Sequence, residues 1–110
     1  MSNMSAEGIF CIIERGKADI VTKAAVSAGA GGATIFFGRG SGAMTFSFFH
    51  SLNVDSAKEI IIIVVTQEVR DAVVDAISKA AHLDEKGKGV LFTFPVSEIR
   101  GIKTAASASK

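Results

Sequence analysis

The chain has 110 residues, a formal net charge of +1, 48% hydrophobic and 21% charged residues. That is enough chain for one domain around one core, with an ordinary globular composition. The near-neutral balance and the absence of a basic block exclude nucleic-acid binding by bulk electrostatics.

The N-terminal stretch MSNMSAEG has no charged region followed by an apolar run, the mark of a signal peptide. The longest strongly apolar run, Ile60 to Val65, is far too short to cross a bilayer. Cys11 is the only cysteine, so no internal disulfide forms. These features point to the cytoplasm.

The first predicted element is a strand over Ile9 to Glu14, followed by a turn at Arg15 and Gly16. From Lys17 to Ala28, Ile20, Val21, Ala24, Ala25 and Ala28 recur at helical spacing. Gly29 is suited to end that helix, since glycine takes the left-handed conformation without steric cost. Ala33 to Phe37 reads as a second strand. Lys58 to Val65, KEIIIIVV, is the clearest strand in the chain and is apolar on both faces. Thr66 can cap a second helix, whose apolar stripe is Val69, Val73, Ala76, Ile77 and Ala80. After the turn DEKGKG, Gly89 to Val96 reads as a fourth strand. Pro95 cannot donate to a ladder, which places that strand at an edge. SEIRGIK adds a short piece, and the tail TAASASK reads as frayed.

The order β-α-β-β-α-β predicts an α+β, ferredoxin-like fold: a four-stranded antiparallel sheet with both helices on one face. Its first and third strands are central. A central strand with one face open to water should alternate apolar and polar residues. Lys58 to Val65 does not, and Cys11 and Ile13 belong to a first strand that is also apolar on both sides. The face that the helices leave bare must therefore be covered, either by another subunit or by the short polar C-terminal segment.

No enzyme is visible. His50 and His82 lie far from Cys11, and no histidine–cysteine spacing fits a metal. Cys11, inside an apolar strand, reads as a small core residue. His82 ends the second helix, where it is solvated or complements the helix dipole.

Two glycine-rich stretches are more informative. GRGSG, Gly38 to Gly42, follows the second strand, and KGKG, Lys86 to Gly89, precedes the fourth. Glycines let backbone N–H groups approach an anion, and Arg39, Lys86 and Lys88 can neutralise it. Neither stretch matches a Walker A loop or a dinucleotide fingerprint. KGKG reads equally well as a plain helix-to-strand turn. The segment 38–57 is harder to read as a turn, since loops beyond about 12–15 residues are usually functional or disordered. Within it, MTFSFF sets Met44, Phe46 and Phe48 on one side of an extended arm. These side chains pack on a neighbouring subunit or a partner, or they join the subunit's own core.

Over Ile9 to Lys103 the sequence resembles the PII-type nitrogen-regulatory signalling proteins. ADIVTKAAVSAGAGGATI resembles the family's first helix, glycine break and start of strand two. The long insertion, about 38–57, resembles its T-loop. KEIIIIVVTQEVRDAVVDAISKAA resembles its third strand and second helix, and GKGVLFTFPVSEIRGIK its B-loop, fourth strand and C-terminal segment. The resemblance implies one domain over 1–110, with the tail 104–110 frayed, assembled as a homotrimer. It implies ATP or ADP as a regulatory ligand in clefts between subunits, with no tightly bound cofactor. It also implies a T-loop that docks on a target protein such as a transporter or an enzyme.

Carried over by position, Thr34 resembles a threonine beside the nucleotide base, and Gly87 and Gly89 resemble the B-loop glycines at the phosphates. Lys58 resembles a lysine at the base of the T-loop, and Lys103 stands where the family has a phosphate-binding arginine. Gly38, Arg39 and Gly40 would sit at the root of the T-loop, near the cleft, and Lys88 and Arg100 add positive charge to it. The chain also departs from the pattern. Where the family's B-loop reads glycine-aspartate-glycine-lysine, this chain has Gly87, Lys88, Gly89 and Val90. Leu83 replaces the threonine that opens the loop, Gly101 replaces a basic residue with Arg100 beside it, and the shorter T-loop has no tyrosine. The departures leave two alternatives to an adenine nucleotide: another small anionic metabolite, or a structural interaction module with no small ligand.

Overall fold

The structure, a computed structural model, describes residues 6–39 and 57–101, with Arg39 described for its backbone alone. The elements are β1 (Ala6–Glu14), α1 (Ala18–Ser27), β2 (Thr34–Arg39), β3 (Ala57–Thr66), α2 (Gln67–Ala80) and β4 (Gly89–Val96). All four strands pair antiparallel in the order β2-β3-β1-β4. The first and third strands are central and β4 is an edge, as Pro95 requires. β1 begins three residues earlier than the apolar pattern suggested. Ala6, Glu7 and Gly8 carry its pairing on to Thr66, Val65 and Val64 on one side and to Val96, Pro95 and Phe94 on the other.

Side chains alternate across a strand, so register assigns each residue to a face. Ile9, Cys11 and Ile13 of β1 share one face with Ile61, Ile63 and Val65 of β3. These pack with Val21 and Ala25 of α1 and Val73 and Ile77 of α2 into the core. The other face carries Phe10 and Ile12, Ile60, Ile62 and Val64, Val90, Phe92, Phe94 and Val96, and Phe36. Among the described residues no element crosses it.

Helix α1 buries Ala18, Val21 and Ala25, and leaves Ile20 exposed. Ile20 is one position, about 100° of helix, away from Val21, so it cannot share the core-facing stripe. Lys17, at the N-cap of α1, makes no side-chain cap bond, and neither does Thr66 at the N-cap of α2. Thr66 holds the extended backbone of a cap, so it ends the strand without supplying the expected hydroxyl.

Both helices end in the same device. The Ala30 and Gly29 amides donate to the Ala25 and Val26 carbonyls, and the Leu83 and His82 amides to those of Ser78 and Lys79. These are Schellman closures, with the residue past the cap in a positive-φ conformation. Gly29 occupies that position in the first helix at φ +126°, and His82 in the second at φ 57°. The side chain of His82 is exposed, with Nδ1 3.6 Å from Glu85 Oε2.

Arg70 ties the start of α2 to the sheet. Its Nε donates to Glu7 Oε1 and its Nη2 to Thr93 Oγ1, both at 3.0 Å, and its Nη1 donates to Asp71. The Asp71 and Glu7 hydrogen bonds hold the guanidinium pKa above its ordinary value.

Candidate functional site

Three connections meet at one end of the sheet. Register places Phe37, Glu59, Ile13 and Gly89 in a single row across all four strands, and Gly38, Lys58 and Glu14 in the next. The first row therefore borders the base of the 40–56 segment, the β1–α1 turn and the α2–β4 loop. Ile13 and Glu59, remote in sequence, are neighbours here because β1 and β3 run side by side.

Lys58 is 3% exposed and stands opposite Glu14 on the uncovered face. Burial lowers its pKa from the ordinary lysine value, and the charge of Glu14 pulls the other way. Glu59 points to the opposite face. It is 8% exposed, and its Oε1 accepts the Gly16 N–H at 3.0 Å and the Ala18 N–H at 2.8 Å. Ala18 opens α1, so a carboxylate from a remote strand takes the place of the missing local N-cap. Read as apolar on both faces, KEIIIIVV gives no hint of this role. The signal lies in strand parity: Glu59 has the parity of Ile61 and Ile63, so it had to point inward and find donors. A second contact joins the same places, with the Arg15 guanidinium carbon 5.6 Å from the centre of the exposed Phe37 ring.

The α2–β4 loop is shaped by its glycines. Gly87 has φ +82° and Gly89 φ +156°. A Cβ on Gly89 would lie 2.6 Å from the Ile12 carbonyl oxygen and 3.0 Å from Ile13 Cγ2. Close approach to β1 therefore accounts for Gly89 within one chain. Lys86 is exposed and Lys88 half-buried, so both charges stand beside the turn.

Gly38 packs against β3, where a Cβ would come 2.8 Å from Ile60 Cδ1. Gly38 and Lys58 are thus direct neighbours, while β3 and β1 lie between Gly38 and the β4 edge. Three strand spacings separate Gly38 from Gly89, about 14 Å. Thr34 is exposed at the other end of β2, opposite Ile62. Arg100 follows the far end of β4, is exposed, and its Nε donates to Glu98. Gly40, Met44, Phe46, Phe48, Lys103 and the side chain of Arg39 lie outside the described residues.

Cys11 is fully buried, and burial pushes its thiol pKa up to about 12. It stays protonated at neutral pH and is no nucleophile. Among the described residues, no three of histidine, cysteine, aspartate and glutamate gather as a metal site. No described helix is long and apolar enough to cross a membrane.

No curated protein matches the chain. Among solved structures, the fold is similar to the crystal structure of Arabidopsis thaliana PII bound to citrate, with a TM-score of 0.65 and 25% sequence identity. That likeness covers 84% of this chain and 78% of the other. The family model for nitrogen regulatory protein P-II matches residues 6–106, nearly the whole chain. The four-stranded antiparallel sheet, the two helices on one face and this match together place the chain in the P-II family of nitrogen-regulatory signalling proteins.

Proposed function

We propose that the protein is a homotrimeric cytoplasmic regulator that binds ATP or ADP between subunits and acts on a target protein through the segment 38–57. The observation that carries the reading is the placement of its two glycine motifs at opposite edges of one sheet. Gly38 and Lys58 lie toward the β2 edge, and Gly87, Lys88 and Gly89 at the β4 edge. A ligand touching both motifs compactly needs the β4 edge of one copy beside the β2 edge of the next. The uncovered sheet face supports such an assembly, since Phe36, Val64, Phe92 and Phe94 stay 38–47% exposed in one chain. Thr34, Arg39, Gly40, Arg100 and Lys103 complete the ligand site in this reading. Met44, Phe46 and Phe48 would meet the target. We assign the protein no catalytic step and no resident metal.

A second reading has one specific support. The similar Arabidopsis thaliana PII structure is bound to citrate. Lys88 here replaces the acidic residue of the family's B-loop, which favours a ligand rich in negative charge with or without a nucleobase. A tricarboxylate is therefore the alternative ligand class.

Calorimetric titration of the assembled protein with ATP, ADP and AMP, with and without magnesium, and with citrate separates the two. Micromolar binding of an adenine nucleotide, lost in Lys58→Ala and Lys88→Ala, supports the first reading. Binding of citrate alone supports the second. Silence towards all four leaves an interaction module with no small ligand of these classes, and a stable single-chain mass in solution overturns the assembly.

A further inference from the structure

The end of the sheet contains a connection that neither ligand reading uses. Helix α1 begins without a side-chain cap of its own. Its first-turn amide, on Ala18, and the preceding Gly16 amide both end on one oxygen of Glu59, more than 40 residues away. Glu59 is the third residue of β3 and pairs with Phe37 of β2. Phe37 carries Arg15 of the same turn over its ring. The β1–α1 turn is therefore fastened twice to the base of the β2–β3 pair, once on each strand.

We propose that Glu59 is a clasp that makes the start of α1 and the base of the β2–β3 pair open and close as one unit. The physical reason is the cost of breaking only half of it. If the base of β3 moves while the turn stays, a buried carboxylate loses two donors and two amides at a helix N-terminus lose their acceptor. If the turn frays while β3 stays, the same groups are stranded. Neither side opens cheaply alone, so the two share one opening event. Whatever displaces the strands at the base of the 40–56 segment thus loosens the first turn of α1, and a contact that stiffens that turn holds the base. Glu59 is a positioning residue in this device and touches no ligand.

Native-state hydrogen exchange on the full-length chain tests the coupling. In the wild type, the amides of Gly16 and Ala18 should exchange with the same opening equilibrium as those pairing Phe37–Arg39 with Ala57–Glu59. Glu59→Ala should speed both groups by tenfold or more and leave the β1–β4 amides unchanged. Glu59→Gln keeps an acceptor oxygen, perturbs the fold less, and should speed both groups by a smaller common factor. Lys17→Ser supplies a local N-cap hydroxyl that accepts from the Asp19 or Ile20 amide. Added to either variant, it should slow exchange at Asp19 and Ile20 while the strand amides stay fast. Faster exchange at Gly16 and Ala18 alone would reduce Glu59 to a simple cap and overturn the proposal. So would protection of the strand amides returning with Lys17→Ser.

Discussion

The two faces of the sheet are made of the same kind of residue and meet different surroundings. On the helix side, Ile9, Cys11, Ile13, Ile61, Ile63 and Val65 are all 5% exposed or less. On the other side, side chains remain partly exposed, Val64 of β3 at 40% and Phe92 of β4 at 47%. Apolar area is driven from water at about 25 cal/mol per Å², whichever face carries it. The helices satisfy that drive on one side only. The bare face is also ordered, which a random greasy surface would not be. Phe10 and Phe92 are cross-strand partners with stacked rings, 5.0 Å between centroids. Phe94 lies over Gly8, the residue it pairs with. Such pairs stabilise a sheet, and here they also make a flat aromatic ridge fit to be covered.

Adjacent residues of β3 give the sharpest test. Ile61 faces the helices and is fully buried, while Ile62 faces the bare side. Ile61→Ala should cost about 2–5 kcal/mol, the range for emptying a core position, measured by denaturant unfolding. Ile62→Lys should leave the far-ultraviolet circular dichroism of the subunit intact and shift the sedimentation mass to a single chain. A large loss of subunit helicity in Ile62→Lys would mean that both faces serve the same single-chain core, and the contrast would collapse.

Much of this was readable from residues. The absence of alternation in Lys58 to Val65 already predicted apolar side chains on both faces of the sheet, and Pro95 an edge strand. The strand order agrees with both, with β1 and β3 in the middle and β4 at an edge. The helix phase was less legible. Ile20 is apolar and near the right spacing, yet small Ala18 lies in the core and Ile20 does not, since spacing tolerates a 100° error that packing does not. The clasp at Glu59 was hidden for a different reason. A lone carboxylate in an apolar strand reads as a strand end, and its donors come from a turn that sequence distance conceals. The row joining Phe37, Glu59, Ile13 and Gly89 depends on register, which the apolar pattern constrains only to within two residues.

The covered face should also show itself in alkaline solution. Burial raises the Cys11 thiol pKa to about 12 from an ordinary 9.0. A raised pKa means that the folded chain keeps a proton which the unfolded chain releases. The associated stability is fully present below pH 9 and is lost between about 9 and 12, at about 1.4 kcal/mol per pH unit. At pH 10.5 the loss should reach about 2 kcal/mol. Cys11→Ala should remove this slope, at a fixed cost of about 1 kcal/mol at neutral pH for the smaller side chain. Denaturation midpoints of the two proteins compared from pH 8 to 11 decide it. Parallel curves would mean that the thiol is reached by water and that the helix-side core is not closed.

The smallest effect falls on the bare face and asks what covers it. A Cβ on Gly8 would sit 2.3 Å from the far edge of the Phe94 ring, which must swing aside. In a single chain the ring moves into water. Gly8→Ala then costs about 1 kcal/mol for the lost aromatic cover, offset by about 0.5 kcal/mol because alanine restricts the unfolded chain. The net cost should be about 0.5 kcal/mol. In an assembly that packs another copy against Phe94, the ring has no free space to enter, and the same methyl group weakens association. Gly8→Ala should therefore leave unfolding of dissociated subunits almost unchanged and raise the concentration at which the assembly falls apart. An unchanged dissociation midpoint would place Phe94 outside the interface and confine the covered part of the face to Ile60, Ile62 and Phe36, nearer β2.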